Sequence, residues 1–190
     1  MVDFENEIKE SLAILQSGGV ILYPTDTVWG LGCDAMNEAA VDKVFAVKHR
    51  PKEKSMIVLL AEAKDVLQYV ATPHPDIIAI IEDFKTPTTV IYEHALGFPD
   101  NVVNADGSIA IRVTNDPFCK SLIKRLKRPL VSTSANISGA STPAVFSMVS
   151  EAISANVDRV VKWRQDDERV LPPSRIVRIN DDGELLVLRG

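Results

Sequence analysis

The chain has 190 residues, 46% of them hydrophobic and 25% charged, with a net charge of −5. This is the composition of a folded chain with a sizeable core, and it excludes a disordered or fibrous protein. No apolar run approaches the roughly 18 residues of a membrane span. The opening MVDFENEIKE lacks the basic start and apolar stretch of a secretion signal, and Cys33 and Cys119 stand in no disulfide, redox or zinc spacing. A reduced cytoplasmic protein with no membrane contact is expected.

In chain order, residues 4 to 17 predict an amphipathic helix, with Ile8, Leu12 and Leu15 on one stripe and Gly18-Gly19 as its stop. VILY, 20 to 23, predicts a buried strand, followed by a turn rich in small residues. Asn37 is placed to cap a helix that runs to about His49, with Val41, Val44 and Phe45 as its apolar stripe and Pro51 forcing its end. MIVLL, 56 to 60, is a strand. Residues 62 to 84 predict helix, broken near Pro73 and Pro75.

TVIYE, 89 to 93, and SIAIRV, 108 to 113, read as strands, and NDPFCKSLIKRLK, 115 to 127, as a strongly capped helix. PLVSTS, 129 to 134, is a strand running into a small-residue loop, and a further helix is expected near 143 to 154. RVVK, SRIVRI and ELLVLR are three late strands, and the polar stretch Arg164 to Arg169 reads as a mobile loop. The expected architecture is α/β: a twisted mixed sheet with flanking helices, in a single domain spanning 1 to 190.

The charge is uneven. Residues 43 to 54 carry +4 and residues 120 to 128 carry +5, so the rest of the chain is strongly acidic. Two local basic clusters suit a discrete anionic ligand better than a whole nucleic-acid face, and leave a tRNA-sized partner open. There is no G-x-x-x-x-G-K-[ST] phosphate loop, and Gly30-x-Gly32 lacks the third glycine of a dinucleotide fingerprint. His49, His74 and His94 have no zincin spacing, and no G-x-S-x-G elbow occurs.

Four constellations remain. In KHRPKEK, 48 to 54, Lys48 continues the Val41, Val44 stripe, so its ammonium is expected at a cleft rim, and Arg50 is pushed outward by Pro51. Together they form either a cradle for a polyphosphate or a set of cations favoured at a helix C-terminus. STSANISG, 132 to 139, either rings a ligand with hydroxyls or forms a capping turn, and Thr25, Asp26 and Thr27 carry the same alternatives. Arg112, at the end of the Ile109, Ile111, Val113 alternation, is either a sheet-end ion pair or a carboxylate clamp.

Taken together, YPTDTVWGLG, the Lys48-x-Arg50 pair with Pro51 and Lys54, the IRV segment, RPLVSTSANISG and the late PSRIV with a terminal LRG resemble the threonylcarbamoyl-AMP synthase (YrdC-type) family, in order and over nearly the whole chain. The resemblance is to the short bacterial form, without the additional C-terminal domain of the longer one. It implies a YrdC-like fold around a concave, basic cavity. It also implies synthesis of L-threonylcarbamoyl-adenylate and pyrophosphate from L-threonine, bicarbonate and ATP, with Mg²⁺ on the nucleotide, for modification of tRNA by a separate transferase complex.

By position, the resemblance gives Thr27, Arg112, Ser132 and Ser174 to threonine. It gives Lys48, Arg50, Lys54, Ser134, Asn136, Thr142 and Arg189 to the nucleotide, with Lys48 and Arg50 nearest the phosphates and no protein metal site. Three departures stand out: Ser55-Met56 where Pro-Leu is usual, Trp29 for a common tyrosine, and Arg175 and Arg178 where a threonine and an aspartate are usual, which adds two cations near the threonine pocket. The rival expectations are a non-catalytic RNA-binding paralogue, disfavoured by the small polar groups retained beside the cations, and a carbamoyl-transfer module for another acceptor.

Overall fold

The computed structural model describes residues 2–51 and 56–190. Lys54 and Ser55, singled out above, therefore lie outside the described residues.

The helix ends obey local rules. Asp3 caps α1 (Phe4–Gln16) by accepting from Glu5 N at 3.0 Å. The far end closes through Gly18, whose φ of 76° lets Gly19 N reach back to Ile14 O at 2.9 Å. Asn37 caps α2 (Glu38–Val47) through Ala40 N, and Asp116 caps α4 (Pro117–Leu126) through Cys119 N with Pro117 in the first turn.

Among the described residues nine strands form one mixed sheet in the order β7-β1-β2-β6-β3-β5-β4-β8-β9. They are β1 (Ile21–Tyr23), β2 (Gly30–Asp34), β3 (Ile57–Leu60), β4 (Thr88–Tyr92), β5 (Ile109–Val113), β6 (Leu130–Ser134), β7 (Arg159–Val160), β8 (Arg175–Ile179) and β9 (Leu185–Arg189). One face packs α2 through Ala40, Val41, Val44 and Phe45 over Leu31, Cys33, Val58 and Val131. The other face packs α1 and α4 through Ile8, Leu15, Phe118 and Leu122 over Ile21, Tyr23, Leu59 and Leu130. Both faces are covered near the middle, as a mixed sheet with flanking helices requires.

Four sequence expectations change. The stretch after Tyr23 is not wholly a turn: Gly30 to Asp34 forms β2, antiparallel to both β1 and β6. The glycine at 32 is required there, because a Cβ would sit 2.6 Å from the Tyr23 ring and 2.9 Å from Val131 O. Of the helix expected over 62 to 84, a 3-10 segment Ala63–Gln68 and α3 (Ile77–Glu82) form. Of the helix expected over 143 to 154, a 3-10 turn Phe146–Met148 and the single-turn α5 (Glu151–Ser154) form, separated by the extended residues Val149 and Ser150. The stretch Arg164 to Arg169 is tied down rather than loose: Arg164 donates to Asp116 Oδ2 and to Thr25 O, each at 2.9 Å. No described helix is long and apolar enough to cross a membrane.

Candidate active site

Strand pleating carries the same face of the sheet out past the cover of α1 and α4. Register places Gly30 beside Ser134, Ser132 beside Ile57, Ile57 beside Ala110, and Arg112 beside Thr89. Since side chains alternate along each strand, the face that is apolar at Leu59 and Leu130 becomes polar at Ser132, Ser134 and Arg112. There the face opens into a cavity of about 310 Å³.

Of the residues expected at the site, Thr27, Arg50, Arg112, Ser132, Ser134, Thr142, Ser174 and Arg189 line this cavity. They come from positions 27 to 189, so the fold assembles what is scattered in sequence. Three guanidinium groups converge and no carboxylate is among the described lining residues. Such a cavity favours an anion.

Lys48 is placed differently from its expected position at the cleft rim. It caps α2, is 1% exposed, and its ammonium donates to the carbonyl oxygens of Ser134 and of Asn136, the latter at 2.7 Å. Ser138 N donates back to Lys48 O at 2.8 Å. The apolar stripe of α2 does aim Lys48 inward, but the loop after β6 closes over it. Burial, aided by the charge of Arg50, pulls the Lys48 ammonium down to about 8. The Asn136 amide likewise serves its own loop, donating to Ile137 O at 2.9 Å and Ala140 O at 2.8 Å.

Arg50 reaches the cavity because α2 ends in a left-handed turn. His49 has φ 48°, His49 N donates to Ala46 O at 3.1 Å, and Arg50 N donates to Phe45 O at 3.0 Å. Burial lowers the Arg50 pKa, though a guanidinium remains charged.

Thr27 is held by its own turn, in which Thr25 Oγ1 accepts from Thr27 N at 3.0 Å and donates to Val28 O at 2.8 Å. The hydroxyls of Ser174 and Thr89 meet at 2.9 Å, and Ser174 O accepts from Arg189 Nη2 at 2.8 Å. Arg189 is opposite Ile176, whereas Val187 is opposite Val177, so one extra residue of β9 bulges between them. Unbroken pairing would put Arg189 opposite Arg175, on the other face; the bulge turns it into the cavity.

Arg112, 3% exposed, faces Asp26 Oδ1 at 3.2 Å through Nη2, while its buried Nε has no protein partner among the described residues. The sequence offers Asp26 only as a ligand contact or a turn residue and does not single out Thr89, since the partners of both lie far along the chain. Arg175 and Arg178 do not line the cavity. Arg175 alternates away from the lining residue Ile176, and Arg178 lies further along β8, 3.4 Å from Glu93. Both cysteines are fully buried, and burial pushes their thiols up, so neither is a thiolate nucleophile.

These features define a class: an α/β protein with an arginine-lined cavity on an uncovered part of a sheet face. The family model for Sua5, YciO and YrdC, described as telomere recombination, matches residues 13–190. Proteins called threonylcarbamoyl-AMP synthase from Pseudoalteromonas translucida and Marinobacter nauticus are 38% and 34% identical to the chain. The first match covers 73% of this chain and 75% of the relative, the second 86% of each. Among solved structures, P. abyssi Sua5 complexed with L-threonine superposes with a TM-score of 0.85 at 21% identity, over 100% of this chain and 55% of that one. E. coli YciO superposes with a TM-score of 0.80 at 20% identity, over 100% of this chain and 90% of that one. The chain belongs to the Sua5/YciO/YrdC family.

Proposed function

We infer that this protein is a threonylcarbamoyl-AMP synthase, a nucleotidyltransferase that makes L-threonylcarbamoyl-adenylate and pyrophosphate from L-threonine, bicarbonate and ATP. The observation that carries this reading is the convergence of Arg50, Arg112 and Arg189 with the hydroxyls of Thr27, Ser132, Ser134, Thr142 and Ser174 on one cavity free of described carboxylates. Its support by kinship is the identity with relatives of that name over most of both chains.

Arg112, with Thr27, Ser132 and Ser174, takes the amino acid, the guanidinium meeting its carboxylate. Arg50, Ser134, Thr142 and Arg189 take the nucleotide; Lys54, outside the described residues, is assigned there too. Lys48 and Asn136 contribute by holding the end of β6 at Ser134 and the loop that follows it. The threonine amine attacks bicarbonate to give a carbamate with loss of water. A carbamate oxygen then attacks the α-phosphorus, and pyrophosphate leaves. No side-chain nucleophile is required, so the protein's work is positioning and neutralisation of charge. Mg²⁺ would be carried in by the phosphates: the described lining offers it hydroxyls but no carboxylate. On this reading the protein is a cytoplasmic one in a single domain, and its labile product passes to a transferase complex acting on tRNA.

A general RNA-binding surface has less support. In the basic cluster 120 to 128, Lys124, Arg125 and Arg128 are engaged by Glu62, Glu5 and Asp34. The deciding experiment incubates the protein with ATP, bicarbonate and threonine and measures pyrophosphate and the adenylate by mass. Release should require both threonine and bicarbonate; release indifferent to threonine rejects the reading.

A further inference from the structure

We propose that Asp26 is a positioning residue of the amino-acid subsite, setting Arg112 and Thr27 in fixed relation; the proposal rests on the threonine-binding reading above. Asp26 lies between Thr25 and Thr27, yet it is not among the residues lining the main cavity and instead lines a second one of about 400 Å³ with Val113 and Asn115. Its Oδ2 accepts from Thr114 Oγ1 at 3.0 Å and from Asn115 N at 3.4 Å. The Thr114 hydroxyl oxygen accepts in turn from Asp116 N at 3.2 Å. The carboxylate is thereby anchored to the end of β5, the strand from which Arg112 projects.

From that anchor, Oδ1 reaches Nη2 of Arg112 at 3.2 Å and makes no aligned hydrogen bond. A buried guanidinium without a counter-charge is strongly disfavoured. Asp26 supplies that charge without lining the main cavity and occupies little of the donor fork, and the buried Nε has no protein partner among the described residues. Because the same residue belongs to the turn carrying Thr27, one side chain ties together the two proposed contacts for a single small ligand. Such pre-organisation reduces the ordering that binding must otherwise impose.

The sign of one measurement separates positioning from simple electrostatics. Asp26→Asn removes a negative charge near the site proposed for the threonine carboxylate, so field effects alone would tighten threonine binding. Positioning predicts the opposite. Calorimetry on Asp26→Asn should show the dissociation constant for L-threonine raised about tenfold or more, with that for ATP within about twofold of the parent. Thr114→Val, which keeps the charge and removes the anchor, should raise it by about threefold.

The ligand-free proteins supply a second readout. The Arg112 Nε–H resonance, assigned by its loss in Arg112→Lys, should exchange with solvent faster in both variants at comparable melting temperature. Unchanged or tighter threonine binding, or equal loss for threonine and ATP, overturns the proposal. Should the parent bind no threonine, the function reading falls, and unchanged Nε–H exchange in the two variants still overturns the role of Asp26.

Discussion

The ammonium of Lys48 lies 2.7 Å from the carbonyl oxygen of Asn136, in the loop that follows Ser134 at the end of β6. A charge on this helix therefore organises backbone, although sequence pattern aimed it at a ligand. Lys48→Met leaves those carbonyls short of a donor, at about 1 to 3 kcal/mol for a buried acceptor. Turnover should fall at least about tenfold as Ser134 loses its place. Because Lys48 is drawn down to about 8, below the ordinary lysine value, the unfolded chain binds the additional proton between about pH 8 and 10.5. Raising pH through that window favours the folded parent, by up to about 1.4 kcal/mol per pH unit relative to Lys48→Met. Urea unfolding of both proteins at pH 7.5, 8.5 and 9.5 checks the trend; a gap moving the other way would contradict it.

Arg50 lines the cavity from the left-handed end of α2. Arg50→Ala should lower saturated turnover at least about tenfold, and Arg50→Lys should restore only part, because an ammonium lacks the fork. Thermal melts on the same samples separate this from misfolding, and near-normal turnover per folded molecule would remove Arg50 from the phosphate site.

Arg112→Ala should weaken threonine binding by about 2 to 4 kcal/mol while sparing ATP. It also strands Asp26 without its partner, so a melting temperature should accompany the titration. Losses of equal size for both ligands would speak against a carboxylate clamp.

The bulge in β9 makes a less intuitive prediction. Leu188 is the extra residue and its side chain is exposed, so deleting it leaves the following arginine still opposite Ile176. Deletion of Leu188 should therefore reduce turnover by about threefold or less, against about tenfold or more for Arg189→Ala. Comparable losses would mean that the bulge itself, rather than the face it selects, matters.

Much of the fold was legible because its signals are local. Asn37 and Asp116 cap their helices by accepting from residues three positions on, the Val41, Val44, Phe45 stripe reports the buried face of α2, and Gly18 closes α1 as expected. The strand β2 was missed because Gly30 and Gly32 mimic a loop; the small size of Gly32 is dictated by Tyr23 and Val131, which only the folded sheet brings near. The shortened helices after 143 show the same limit, since apolar spacing alone does not report where the backbone turns extended.

At the site, the sequence determined the chemical types: guanidinium groups, hydroxyls and an inward-aimed lysine, recognisable by their order along the chain. Tertiary structure decided which of them face one another. It put Lys48 behind the loop after β6, turned Arg189 inward through a bulge, sent Arg178 toward Glu93, and set Asp26 against Arg112 across 86 positions of chain. The reason is the range of the forces involved. Caps, periodicity and turns are settled among residues within a few positions of each other, whereas strand register, ion pairing and burial are settled between segments that meet only after the chain has folded.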